Sequence, residues 1–445
     1  MSATLSPPAT GALAASLRAR HVAMIALGGV VGAGLFVGSS AAIATAGPAV
    51  LLSYAFAGLI VWLVMRMLGA MAIAEPGRGS HAGYAAFGLG RWAGFVTGWL
   101  YWYFWVVAVG AETVAGASLL AGLLGPAAPP VWLLGLVLIA AMTAVNLLSV
   151  RAYGEFEYWF SLLKVAAIGL FITLGLAALF GAFGPEAARL SRLAGAGGLL
   201  PLGLSGVAAA VPVVIFSLTG SEIATIAAAE SDDPPRNVAR AARTVALRIA
   251  TFYLGAIALV LCIVAWPGIR PGHSPFVTAM QRLGIPGAAD LMTVVILIAV
   301  LSCLNSGLYV TSRMMFELAG RGDAPKALVA VGRSRVPVRA TLAGASAGFL
   351  AAIASIVSPD RVFAFLVATS GTTILFVYAL IAAGYGRWRR AQGMMIPLAS
   401  AIVLAGIAGV CIAMSLIPAQ RPQFLLSLAS LAVAGLGWGL RRRFG

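Results

Sequence analysis

Apolar runs of 18 or more residues follow one another along the whole chain, separated by short turns rich in Gly, Pro and Arg. Runs of that length match the ~30 Å hydrocarbon core of a bilayer at about 1.5 Å of rise per helical residue. The pattern predicts an all-α polytopic membrane protein with twelve transmembrane helices, near residues 22–46, 48–73, 92–124, 131–150, 156–183, 203–228, 244–266, 290–319, 339–358, 361–386, 394–416 and 423–440. It reads as one integrated bundle. The expected organisation is a disordered N-terminus over 1–20, a ten-helix core over 21–390, and two further helices with a C-terminal tail over 391–445.

Two spans break the apolar pattern. The first carries Gly28-Gly29-Val30-Val31-Gly32-Ala33-Gly34-Leu35-Phe36-Val37-Gly38 inside a run from Val22 to Met65 that holds no charge. Glycine costs about 1 kcal/mol in a helix relative to alanine, and unwound backbone survives in a bilayer only where protein or a watery cavity covers it. The cluster is therefore either a broken helix lining a site or a face for close packing through small residues. The sixth span carries a second interruption, Phe216-Ser217-Leu218-Thr219-Gly220-Ser221-Glu222. Both interruptions fall roughly 12–15 Å from the same face of the membrane at ~1.5 Å per residue, and Lys164 in the fifth span lies at a similar depth. Two broken helices of opposite direction, five spans apart, are the pattern of a 5+5 inverted-repeat transporter core with a midplane site. No residue-by-residue repeat joins the halves.

Of 445 residues 61% are hydrophobic and 9% charged, against about 25% charged in soluble proteins. The net charge of +16 suggests nucleic acid until the cations are placed. Most of the Lys and Arg fall in the loops and tails of one side, including Arg236, Arg240, Arg243, Arg321, Lys326 and Arg441 to Arg443, against six on the other. The positive-inside rule accounts for that asymmetry without nucleic acid and puts both termini in the cytoplasm, in a multi-pass protein of the cytoplasmic (inner) membrane. The first apolar run is too long for a signal-peptide core, so its retention is expected. Cys262, Cys303 and Cys411 all lie within spans and offer no disulfide framework or metal spacing. His21, His81 and His273 cannot form a His-Glu-x-x-His site, and neither lysine follows a glycine as a phosphate-binding loop requires. Neither an enzyme, a cofactor nor a metal is expected.

The chemistry of the two breaks suits a zwitterion. A half-helix starting after Gly34 turns free N–H groups toward a carboxylate, with Val30, Gly32, Ala33 and Gly34 as its candidate contacts. A half-helix ending near Phe216 offers carbonyls to an ammonium, with Ser217, Thr219 and Gly220 beside it. Phe216 reads as an aromatic gate or as a plain core residue. Glu112, deep in the third span, reads as a contact for the substrate amine or as a partner of another polar group. The aromatic cluster Trp99-Leu100-Tyr101-Trp102-Tyr103-Phe104-Trp105 reads chiefly as belt or helix packing. Lys164 is one of only two lysines among 29 basic residues. A desolvated lysine can lose its proton where arginine cannot, which suits proton coupling; a fixed or snorkelling charge is the other reading. Glu222 could satisfy freed N–H groups, carry protons or sense pH. Arg66 and Arg313, near inner ends, read as snorkelling or gate charges.

On these residues the chain resembles the amino acid transporter family of the amino acid–polyamine–organocation superfamily. The matching stretches are Gly28 to Phe36, Gly154-Glu155-Phe156-Glu157 leading to Lys164, Gly220-Ser221-Glu222 with Thr225 to Ser231, and Asn305-Ser306-Gly307-Leu308-Tyr309. Within that family Ala33 to Ser39, Arg66-Met67-Leu68-Gly69 and Thr225 to Ser231 are most similar to the 4-aminobutyrate permeases. The resemblance implies import of a small amino acid by proton symport, substrate between the broken spans, Phe216 as a gate and Lys164 in place of a sodium ion. Where the family commonly has an acidic residue after Arg-Met-Leu-Gly, this chain has Ala70. The expected partners are a small amino acid, protons and the lipid bilayer, as a monomer or homodimer. The alternatives are an exchanger, a permease for aromatic or basic amino acids and, from another class, a channel or membrane sensor.

Overall fold

The computed structural model describes residues 31–75, 77–78, 80–148, 150–195, 197–220, 234–331 and 336–444. Among these the chain is helical throughout, with no strand. A π-helical turn, Gly34–Gly38, leads into α1 (Ser39–Ala46). There follow α2 (Val50–Ala74), α3 (His81–Leu89), α4 (Arg91–Leu124), α5 (Val131–Leu148), α6 (Val150–Leu179) and α7 (Gly203–Leu218). The second half holds α8 (Pro234–Arg248), a π-helical stretch Ile249–Gly255, α9 (Ala256–Ile263), α10 (Pro275–Leu283) and α11 (Ala288–Gly320). The chain closes with α12 (Val338–Ala354), α13 (Pro359–Ala391), α14 (Leu398–Leu416) and α15 (Arg421–Phe444).

Each span read from the hydropathy pattern meets one of these apolar helices. Eight are long and apolar enough to cross a bilayer, with Gly34–Ala74 counted as one 41-residue unit. That unit turns sharply at Gly47-Pro48, where Gly47 adopts φ 63°. Three further apolar helices, Val131–Leu147, Gly203–Leu218 and Val338–Ala354, are shorter. The stretch between α2 and α4 holds α3, whose Ser80 cap accepts from the Gly83 N–H.

α4 is the hub of the bundle, packed against α3, α5, α11, α12, α13 and α15. Lipid gives helices no hydrophobic reason to associate, so close approach and internal satisfaction of polar groups matter most. Thr113, Thr143 and Thr373 accordingly return their hydroxyls to carbonyls one turn back, at Val109, Ile139 and Thr369. Arg66 is exposed and lies over the Trp62 ring, as a snorkelling cation would. Arg313 lies over Tyr309. Arg248, inside the seventh hydrophobic run, is buried, at 2% exposure.

Candidate functional site

The two interrupted stretches meet. A side chain at Gly34 would come within 2.7 Å of the Ser217 Cα and 2.9 Å of its Cβ, so only glycine allows the start of one half-helix to rest on the end of the other. Before that contact the backbone bends at Gly32 and enters the π turn. Beyond it α7 ends as Thr219 turns extended, at φ −69° and ψ 151°. Gly220 follows at φ 102°, which L side chains rarely adopt.

Both helix ends carry protein groups. The Ala33 N–H donates to Glu112 Oε1 and Oε2, at 3.1 Å each. A carboxylate therefore already occupies the donor end, where the helix dipole favours an anion. Gly32 makes room for it: a Cβ there would lie 2.6 Å from Glu112 Oε1 and 2.7 Å from the Cys303 Cβ. At the acceptor end the Tyr253 hydroxyl donates to the Ser217 carbonyl at 2.8 Å. The Ser217 hydroxyl donates back to Val214, and the Thr219 hydroxyl to Ile215.

Between these ends lies a cavity of about 20 Å³, lined by Gly34, Phe104, Trp105, Glu112, Phe216 and Ser217 among others. That is room for about one water molecule. The Trp105 indole N–H is buried without a hydrogen-bond partner. A second cavity, of about 910 Å³, is lined by Val37, Ala115, Arg270, His273, Asp290 and Asp360 among others. Val37 and Ala115 stand roughly one helical turn beyond Gly34 and Glu112. On the opposite side, the Ser80 hydroxyl donates to Glu317, which also pairs with Arg321. Trp99 donates to the Asp323 carbonyl, and Asp323 pairs with Arg441. The site is thus closed, with a wide vestibule on one side and a polar clasp on the other.

Lys164 sits beside this site without lining it. It is fully buried, and its Nζ lies 3.8 Å from Glu157 Oε1. Glu157 also accepts from the Ser302 hydroxyl at 2.8 and 2.9 Å. Consecutive residues of α11 therefore face two carboxylates, Ser302 toward Glu157 and Cys303 toward Glu112 and Gly32. Lys164 also acts electrostatically on Glu112.

Of the residues singled out in the sequence, the structure brings Gly34, Glu112, Phe216, Ser217 and Thr219 around the small cavity. Gly32 and Ala33 join it through Glu112, and Gly220 follows the end of α7. Val30 and Glu222 lie outside the described residues. Sequence reasoning gave no site role to Glu157, Trp105, Cys303 or Tyr253. Two had a signal: Glu157 and Trp105 each stand seven residues before Lys164 and Glu112, on the same helical face. Cys303 and Tyr253 reach the site through tertiary packing alone.

The profile of the family described as amino acid permease matches residues 21–420. A gamma-aminobutyric acid permease of Bacillus subtilis (strain 168) is 42% identical over 423 residues, 92% of this chain and 90% of its own length. A gamma-aminobutyric acid permease of Escherichia coli (strain K12) is 44% identical over 437 residues, 95% of this chain and 92% of its own. An aromatic amino acid transport protein of Corynebacterium glutamicum is 40% identical over 374 residues, 83% of this chain and 80% of its own. These matches run across both interruptions and the cavity between them, and they show that the chain belongs to the amino acid permease family.

Proposed function

We propose that the chain imports a small amino acid, 4-aminobutyrate or a close analogue, across the cytoplasmic membrane by proton symport. The observation that carries this reading is the meeting of two helix ends at Gly34 and Ser217 beside a small cavity that Glu112 lines. In the proposed architecture twelve helices cross the membrane, ten of them form an inverted-repeat core, and both termini are cytoplasmic. The vestibule beyond Val37 and Ala115 is then external, and the clasp of Ser80, Glu317 and Arg321 is the closed inner gate. Alternating access consists of opening that clasp as the vestibule narrows.

Substrate binding exchanges partners. The incoming carboxylate takes the Ala33 N–H from Glu112, with the Trp105 indole as a second donor. Two carboxylates cannot share one donor end without repulsion, so Glu112 accepts a proton as the substrate arrives. The substrate ammonium takes the Ser217 carbonyl as Tyr253 releases it. Phe216, packed toward Phe104 with ring centroids 6.3 Å apart, covers the ligand. Lys164 carries the second proton-linked charge: its loss would leave Glu157 buried beside Ser302 with its cation gone. Glu222, just past the second break, is assigned to the same proton path.

Uptake of labelled 4-aminobutyrate into proteoliposomes, with and without an imposed pH gradient, tests the reading. Accumulation driven by the pH gradient supports it. Accumulation driven by sodium, or only against preloaded amino acid, replaces symport by sodium coupling or exchange. The aromatic lining of the cavity favours including phenylalanine and tyrosine in the competition panel. Stronger competition from these than from 4-aminobutyrate would change the substrate.

A further inference from the structure

A groove of about 520 Å³ runs between α4 and α15 on the outer surface of the bundle, lined almost wholly by apolar atoms of Phe95, Trp99, Tyr103, Leu426, Val433 and Gly437, with a few neighbours. On α4 its residues recur at 95, 99 and 103; on the antiparallel α15 they recur at 437, 433, 430 and 426. Continuing each stripe by one turn toward the same end gives Arg91 on α4 and Arg441 on α15. The two arginines are near enough to act on one another electrostatically. Arg442 and Arg443 follow, both exposed. Among the described ion pairs Arg441 is matched by Asp323 and Arg321 by Glu317, whereas none includes Arg91, Arg442 or Arg443. The groove thus has an apolar body and a mouth with surplus positive charge.

Its length selects the occupant. From Gly437 to Leu426 the groove covers roughly 16 Å at ~1.5 Å per residue, about one leaflet of a ~30 Å core. A helix from a second copy would need an apolar face along the whole span, and a two-fold contact through α15 would bring two arginine mouths together. An acyl chain needs one leaflet, and a phosphate at its head neutralises the cations. We propose that this groove holds one acyl chain of an anionic phospholipid, with its phosphate held between Arg91 and the Arg441 to Arg443 run.

The test is native mass spectrometry of the full chain released from membranes, beside nanodiscs of phosphatidylcholine with or without phosphatidylglycerol. The wild type should keep one phosphatidylglycerol under conditions that strip phosphatidylcholine. The paired change Arg91→Gln and Arg442→Gln should reduce that retention by about thirtyfold, because each cation near an anionic headgroup contributes on the order of 1 kcal/mol. Gly437→Leu should reduce it with every charge intact. The site has space for the change, since a Cβ there meets only the Phe95 ring, at 3.5 Å. Equal retention of both lipids, unchanged retention in the variants, or cross-linking of two copies through Val433 with no lipid bound would each overturn the proposal.

Discussion

The Ala33 N–H donates to both carboxylate oxygens of Glu112, at 3.1 Å each, so a side chain from α4 caps the start of the helical segment that opens at Gly34. In the proposed cycle the substrate carboxylate takes this position from a group that a proton can neutralise.

Glu112→Gln keeps the shape and removes the charge. Uptake by this variant should lose its response to an imposed pH gradient, while equilibrium binding of substrate stays within about tenfold, or 1.4 kcal/mol, of the wild type. Binding assays on purified protein beside gradient-driven uptake check both parts. Uptake that remained gradient-driven would remove Glu112 from the coupling path.

Lys164→Gln leaves the Glu157 carboxylate buried without its cation. Breaking a buried pair typically costs about 3–5 kcal/mol, so a clear fall in thermal stability should follow. The double change Lys164→Gln with Glu157→Gln should recover most of that stability and none of the gradient-driven accumulation. A double variant that accumulated substrate normally would reduce the pair to a structural role.

Gly34→Ala places a methyl group 2.7 Å from the Ser217 Cα, against backbone that cannot swing aside. Overpacking of this kind costs about 1–3 kcal/mol, and here it pries apart the two half-helices. Transport should fall at least about tenfold, while Gly409→Ala, at a site with nothing within 4 Å, should leave uptake unchanged. Uptake by both variants, measured at matched surface expression, separates the site from general glycine loss.

His81 begins α3 outside the long spans, 2% exposed and stacked on Tyr101 with centroids 4.4 Å apart. Its Nε2 has no hydrogen-bond partner, and burial holds its pKa down at about 3. The folded state therefore prefers the neutral imidazole, while the unfolded chain takes up a proton near pH 6.5. The stability associated with His81 is complete above about pH 6.5 and is lost as pH falls toward 3, by about 1.4 kcal/mol per pH unit at most. His81→Phe should flatten the acid limb of a melting-temperature profile between pH 6.5 and 4. An unchanged slope would place the acid sensitivity elsewhere.

Much of the site was legible because its parts are exceptions to the apolar pattern. Glycines at 32 and 34, a lysine and a glutamate inside uncharged runs, and Thr219-Gly220 in the sixth span all stand out against leucine and alanine. Each is costly in lipid without a reason, which is why each marks the site. Who meets whom was not legible. The carboxylate at the donor end comes from α4, 79 residues along the chain, and the hydroxyl at the acceptor end from Tyr253, 36 residues along. Glu112 could have faced a substrate amine as readily as a backbone N–H, because a carboxylate accepts from either.

The sequence by itself determined a helical membrane protein of the amino acid permease family, with its ends distinguished by charge and its two interruptions at matching depth. Hydropathy, glycine and charge act locally, so each leaves its mark in a window of about 20 residues. Only the tertiary structure decided that the half-helices touch at Gly34 and Ser217, and that both ends are held by side chains. It also paired Lys164 with Glu157 and left an apolar groove ending in arginines between α4 and α15. Those relationships depend on how helices distant in sequence rotate and approach one another, which nothing within a single run of residues specifies.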